Sequence, residues 1–199
     1  MNATSMPAAL TVLLYLLVLM TSAFGIRSAQ ALVASAPAPI AAHPRAGCLP
    51  SRDGYLRARI RGEDAINIDW HDADMQCDGG LRPEDLGGMR VTFAGSLPQD
   101  GRQVRLIFGI AAPADARTAH DVPANVTLIF EDDKKLYATA GEGKCTIDEL
   151  SLQSAAEAHG SWRRLVARGF CTIPVTTLNG SEALELDRFD FAGGLRDAD

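Results

Sequence analysis

Lysine is scarce in this sequence of 199 residues, where it occurs only at Lys134, Lys135 and Lys144. Acidic residues outnumber basic ones, and the formal net charge is −6. A protein that binds nucleic acid through its phosphates needs a basic surface. The charge balance therefore argues against a nucleic-acid partner.

The sequence also lacks the short motifs of common catalytic sites. G-x-S-x-G, H-E-x-x-H and C-x-x-C are absent. The segment Gly141-Glu-Gly-Lys144 does not match a phosphate loop, because Ala138 takes the place of the first glycine and Cys145 follows the lysine. No cofactor is predicted, and an enzymatic function is disfavoured.

The N-terminus has no charged residue before or within an apolar run from Pro7 to Gly25. Small-x-small sites follow at Ala23-Phe-Gly25 and Ala29-Gln-Ala31, as in a signal peptide. Residues 1–31 are therefore predicted to be a cleaved signal peptide, with an uncleaved membrane anchor as the alternative. An Ala/Pro-rich linker is predicted over 32–47 and a single domain over 48–199.

Four cysteines follow the apolar segment: Cys48, Cys77, Cys145 and Cys171. An even set behind an export segment predicts disulfides, and hence a periplasmic or secreted protein. The pairs Cys48–Cys77 and Cys145–Cys171 are expected, because each closes a loop of moderate length within one half of the domain.

Strict alternation of apolar and polar side chains predicts a hairpin formed by 55–61 and 66–71. If both apolar sets share one face, Arg57 lies opposite Asp69 and Tyr55 lies opposite His71. The outward side of this hairpin would then carry arginine, tyrosine and acidic side chains.

Further segments are predicted to be strands: 89–93, 104–108, 125–131, 135–139, 162–173 and 184–191. Segments 89–93 and 104–108 form a second predicted pair, and segments 125–131 and 135–139 form a third hairpin around the three-residue loop 132–134. In the third hairpin, Phe130 is expected opposite Leu136 and Thr127 opposite Thr139. The second pair is expected to turn its alternating apolar side chains inward: Met89, Val91, Phe93, Val104, Leu106 and Phe108. In the last strand the apolar parity changes, which predicts a bulge near Asp187 or Arg188.

One segment resembles a helix, because Thr146 and Glu149 form a capping box before the Ala-rich residues 154–158. A short strand through Leu150 and Leu152 is the alternative. The pattern predicts an all-β, two-sheet antiparallel sandwich of jelly-roll or immunoglobulin-like type with at most one short helix. A closed β-barrel is the alternative fold.

A binding surface is predicted on the first hairpin, since arginine and tyrosine suit recognition of sugars, carboxylates or proteins. Its candidate residues are Tyr55, Arg57, Arg59, Asp69, Trp70 and His71, and Arg61 and Arg105 would extend the same exposed face. The competing interpretation is a solvated sheet face without a ligand. His71 beside an aspartate also has the residue types of a catalytic base, but the sequence identifies no nucleophile for it.

Asp74, Gln76 and Asp78, followed by Gly79, partly match a calcium-binding loop. The match fails further on, where Arg82 and Pro83 occupy positions that need ligands or a helix. A solvated strand end is the competing interpretation.

The leading functional hypothesis is an exported cell-envelope module that binds an unknown protein or carbohydrate, with membrane contact only if the N-terminal segment is uncleaved. A hydrolase acting on carbohydrate or cell-wall material, with two of Asp69, Asp72, Asp74 and Asp78 as its carboxylate pair, is an alternative. A purely structural envelope protein is the third.

Overall fold

The computed structural model describes residues 48–62, 65–83, 87–141, 143–154 and 162–196. These residues form strands and no helix, so none of them provides a helix able to cross a membrane. The strands are β1 Tyr55–Arg61, β2 Ile66–His71, β3 Met75–Leu81, β4 Met89–Ser96, β5 Gln103–Ile110, β6 Thr118–Phe130, β7 Lys135–Ala138, β8 Cys145–Ser154, β9 Trp162–Cys171, β10 Val175–Thr177 and β11 Ala183–Arg196.

The chain divides into two units, Met1–Ala41 and Ala42–Asp199, and all of these strands belong to the second. The predicted signal peptide and linker lie outside the described residues. Their assignment stays a prediction.

The strands form an antiparallel β-sandwich, as predicted. Hydrogen bonding follows the order β10-β7-β6-β5-β4-β3-β11-β1-β2, with β8 paired to β6 and β9, and β9 paired to β11. Among the described residues β2 pairs only with β1, so the sheet keeps an edge and is not a clean closed barrel.

Four phenylalanine rings in the core pack β11 against β4 and β5. Phe191 of β11 lies 5.1 Å from Phe93 of β4 and 4.8 Å from Phe108 of β5, measured between ring centroids, and Phe189 lies 4.9 Å from Phe108. All four side chains are buried. Aromatic pairs at these separations add to the free energy of area burial, so this cluster fixes β11 against β4 and β5.

The predicted register of the first hairpin is confirmed. Arg57 pairs with Asp69 and Tyr55 pairs with His71, while Leu56, Ala58 and the apolar residues of β2 are buried. The apolar residues predicted to face inward in β4 and β5 are buried too.

The predicted register of the third hairpin is wrong by one residue. Thr127 pairs with Ala138, and Phe130 pairs with Lys135. Tyr137, rather than Leu136, is the buried residue of β7, and its ring packs edge-on against Phe130 at 5.9 Å. The burial of this larger ring selects a four-residue loop, 131–134, instead of the three-residue loop that the prediction assumed.

The predicted capping-box helix is not formed over residues 145–154, which belong to β8, and the rest of its Ala-rich segment, 155–158, lies outside the described residues. The alternative strand is confirmed, with Leu150 and Leu152 buried. Side chains of Ile147 and Leu150 both face the core although their parity differs, because Asp148 has no partner where the β8–β9 register shifts. A bulge at this point restores the inward direction of the apolar residues.

The predicted bulge in β11 is confirmed at Asp187. Arg59 pairs with Arg188 and Ile60 pairs with Leu186, which leaves Asp187 unpaired. The extra residue lets Leu186 and Phe189 both enter the core.

Both predicted disulfides are confirmed. Cys48 and Cys77 are joined across 29 positions of sequence, and Cys145 and Cys171 across 26. Cys145 and Cys171 are direct partners in the β8–β9 ladder, whereas Cys48 precedes β1 and attaches the start of the domain to β3.

Replacing Cys145 and Cys171 by alanine should lower the free energy of unfolding by about 3–4 kcal/mol, because the unfolded chain regains the entropy of the closed loop. Urea unfolding of the protein with its disulfides formed, compared with the variant, measures this loss. The Cys48–Cys77 bridge closes a loop of similar length, so replacing both of these cysteines by alanine should give a similar loss. A change below about 1 kcal/mol in both variants would contradict the entropic explanation.

Gly169 should not tolerate a side chain. A Cβ there would collide with the Thr146 carbonyl oxygen and lie 2.9 Å from Phe189 Cζ. Gly169→Ala should therefore lower the free energy of unfolding by about 1–3 kcal/mol. Gly109→Ala is the matched control, since a Cβ at Gly109 meets no atom within 4 Å; equal melting temperatures for the two variants would contradict the packing described.

Candidate functional site

A groove of about 880 Å³ crosses the outer face of β2, β1, β11 and β9. Its lining is rich in charged side chains of both signs, four arginines and four aspartates. These are Arg57, Arg59, Arg168, Arg188, Asp69, Asp148, Asp187 and Asp190, together with Asn67, Phe170 and neighbouring backbone.

One row of residues crosses five strands with alternating charge. From β2 to β8 each neighbour in the row pairs with the next: Asp69, Arg57, Asp190, Arg168 and Glu149. The row arises because outward positions of paired strands align, so each acid faces a guanidinium on the adjacent strand.

Several members of this row are held by ion pairs. Arg57 Nε donates to Asp69 Oδ1 over 3.2 Å, and Arg57 Nη1 lies 3.9 Å from Asp190 Oδ2. Arg168 donates to Glu149 on β8. These pairs are exposed and add little to stability, but they fix the positions of their donors and acceptors.

The two bulges bring two further acids to the groove. Asp148 and Asp187 are the unpaired residues of the β8 and β11 bulges, and both line the groove. Bulges redirect side chains beside sites of function. Asp187 accepts from Arg61 Nη2 over 2.9 Å and lies 3.9 Å from Arg59 Nη1.

Tyr55 lies beside the charged row, two residues before Arg57 on β1. Its hydroxyl donates to Asp190 Oδ1 over 2.8 Å, and the Arg57 guanidinium lies 5.0 Å from its ring centroid. Burial raises the pKa of Tyr55, and the hydrogen bond and negative charge of Asp190 raise that pKa further. The phenol therefore stays protonated and keeps donating to Asp190 at neutral pH.

Two charged side chains that line the groove are unpaired within the described residues. Within the described part of the chain, Arg188 and Asp148 have no side-chain hydrogen bond or ion pair. Arg188 supplies five N–H donors, and Asp148 supplies two acceptor oxygens.

The predicted surface residues lie partly together. Arg57, Arg59 and Asp69 line the groove. Tyr55 donates a hydrogen bond to Asp190, which lines the groove, and His71 Nε2 lies 3.8 Å from Asp69 Oδ1.

Trp70 does not lie on that surface, so its prediction as a binding residue is wrong. It is 1% exposed and faces the core, where its Nε1 donates to the Ser96 carbonyl over 2.9 Å. Arg105 lies on β5 and pairs with Glu131, away from the groove.

The remaining acids of residues 69–78 are engaged separately. Asp72 accepts from the Leu49 N–H, Asp74 accepts from the His71 N–H, and Asp78 accepts from Arg196. Of the four acids proposed for a hydrolase, only Asp69 lines the groove. Asp72 and Asp74 both line another depression, of about 670 Å³, so the carboxylate pair of the hydrolase hypothesis stays a prediction.

The residues of the predicted calcium-binding loop form an extended strand and the turn before it. Gln76 and Asp78 lie in β3, and Asp74 lies in the turn before it. No group of three or more His, Cys, Asp or Glu side chains able to hold a metal ion occurs in the part of the chain that the structure describes.

Sequence reasoning missed the groove residues of β8, β9 and β11: Asp148, Arg168, Phe170, Asp187, Arg188 and Asp190. The bulge signal identified Asp187 as irregular without suggesting a site. The change of apolar parity between Ile147 and Leu150 was the same signal for Asp148.

Comparison of the chain with protein-family models, with curated proteins and with solved structures found no match. The interpretation of the groove therefore rests on its own residues.

Asp190→Asn should lower the pKa of Tyr55, because the variant removes the negative charge beside the phenol. Titration of the tyrosine ¹³Cζ signal by NMR measures this, with Tyr55→Phe to assign the signal. A raised folded-state pKa means that the contribution of Tyr55 to stability is fully present below about pH 10 and is lost as the pH rises through the folded value. An unchanged pKa in Asp190→Asn would contradict the contact.

Proposed function

We propose that this chain is an exported binding module of the cell envelope, and that its groove binds a carbohydrate carrying hydroxyl and carboxylate groups. The observation that carries the proposal is the row of alternating carboxylates and guanidiniums across five strands. The disulfides fit an oxidising compartment, which supports export.

The chemistry of the groove supports such a ligand. Carboxylates accept hydrogen bonds from sugar hydroxyls, and a guanidinium donates two parallel bonds to a carboxylate. The half-buried Phe170 contributes an aromatic side chain to the lining.

The ion pairs also support recognition because they place the polar groups before a ligand arrives. Arg57 is held between Asp69 and Asp190, and Arg168 is held by Glu149. Polar groups that are already ordered lose less entropy on binding.

Isothermal titration of the exported protein with trigalacturonic acid and with the neutral maltotriose tests the proposal. The acidic trisaccharide should bind at least tenfold more tightly. Arg188→Ala should weaken its binding by about tenfold or more, as expected for the loss of a charged hydrogen bond. Asp148→Asn should weaken the binding of both sugars, because it removes an acceptor for hydroxyl groups.

Arg117→Ala is the matched control, since Arg117 is exposed and lies outside the groove. It should leave both affinities unchanged within twofold. Equal losses in Arg188→Ala and Arg117→Ala, or no binding of either sugar, would contradict the proposal. Release of new reducing ends during the titration would instead favour the hydrolase.

A further inference from the structure

A second depression, of about 390 Å³, lies on the outer face of β3, β4, β5 and β11 and shares no lining residue with the groove. We call it the arginine notch. It is lined by Gly80, Arg90, Arg105, Arg196, Thr92 and Asp78, with backbone of β3.

Gly80 forms the floor of the arginine notch. It pairs with Arg90 on β4 and with Arg196 on β11, so two guanidinium-bearing residues flank a position without a side chain. A Cβ at Gly80 would meet only the Arg196 carbonyl oxygen, at an ordinary 3.6 Å.

Close packing explains the glycine at position 79 but not the glycine at position 80. A Cβ at Gly79 would collide with the Gly194 carbonyl oxygen, so packing requires glycine there. Packing does not require glycine at position 80, and the φ of Gly80 lies outside the positive range that favours glycine. The absence of a side chain at Gly80 keeps the space between the arginines open.

The charge of the notch is positive in a protein whose net charge is −6. Three arginines face one lining acid, Asp78. Asp78 accepts from Arg196, whose guanidinium also lies 5.6 Å from the Trp162 ring centroid. Arg105 Nε donates to Glu131 Oε1 over 2.7 Å, and Arg105 Nη2 lies 2.6 Å from the same oxygen. These contacts hold two of the guanidiniums in place.

The third guanidinium is free to bind. Within the described residues the Arg90 side chain has no hydrogen bond or ion pair, and it is exposed. An unpaired guanidinium next to two positioned ones matches a tetrahedral oxyanion, because each planar fork donates paired hydrogen bonds to phosphate-type oxygens. The Thr92 hydroxyl lines the same space.

We infer that the arginine notch binds a phosphoryl group through Arg90, Arg196 and Arg105. The group belongs either to a soluble phosphate compound or to a lipid headgroup. The same chemistry serves both sources, and the experiment separates them.

Inorganic phosphate is the first probe, added to the exported protein with both disulfides formed and followed by NMR of the arginine Nε–H signals. Phosphate should shift the Arg90 and Arg196 signals in a saturable way. Arg90→Ala should weaken the apparent affinity at least tenfold, and Arg90→Lys should weaken it less, because charge is kept while the fork is lost.

Gly80→Val tests the open floor without removing any charge. It should weaken phosphate binding at least tenfold, while the NMR spectrum keeps the dispersion of the folded protein. Arg117→Ala, an exposed arginine outside the notch, should bind phosphate as the wild type does.

Cosedimentation with phosphatidylcholine vesicles, with and without phosphatidic acid, distinguishes the two sources. Arg90-dependent binding to the acidic vesicles supports a lipid headgroup, and phosphate binding without vesicle binding supports a soluble phosphoryl ligand. Phosphate shifts that do not saturate, or that are equal in the wild type, Arg90→Ala and Arg117→Ala, would overturn the inference.

Discussion

The contact of Phe189 and Phe191 with Phe93 and Phe108 is the interaction on which the rest of this sandwich depends. It sets the position of β11, which pairs with β1, β9, β10 and β3. Burying both rings together with Leu186 requires one extra residue in the strand. The need to fill the core therefore places a bulge, and an aspartate, on the opposite face.

The outer face follows from that arrangement. Once β11 is fixed between β1 and β9, its outward acids lie between the arginines of its neighbours, and a row of alternating charge forms. The same strand ends at Arg196, beside Gly80. The groove and the arginine notch thus use different stretches of one strand, the groove with balanced charge and the notch with positive charge.

The sequence alone predicted the structural features that depend on local alternation and on loop length. These are the register of the first hairpin, the disulfide pairs and the bulge at Asp187.

The register predicted for the third hairpin was wrong because Leu136 and Tyr137 are both apolar, and only tertiary packing decides which of the two is buried. Strand β3 was missed because its Gly-containing sequence has no β-branched residue. The groove was missed because Asp190 pairs with Arg57 on one side and with Arg168 on the other, and no local pattern encodes these pairings between separate strands.

We propose that the charged row, which runs from β2 through β1, β11 and β9 to β8, is a binding surface rather than a solvated face. Mapping of backbone amide shifts by NMR during titration with trigalacturonic acid tests it most directly. The account predicts saturable shifts concentrated at residues 57–59, 168–170 and 187–190. A folded spectrum that does not change, or shifts spread evenly over exposed residues of all strands, would contradict it.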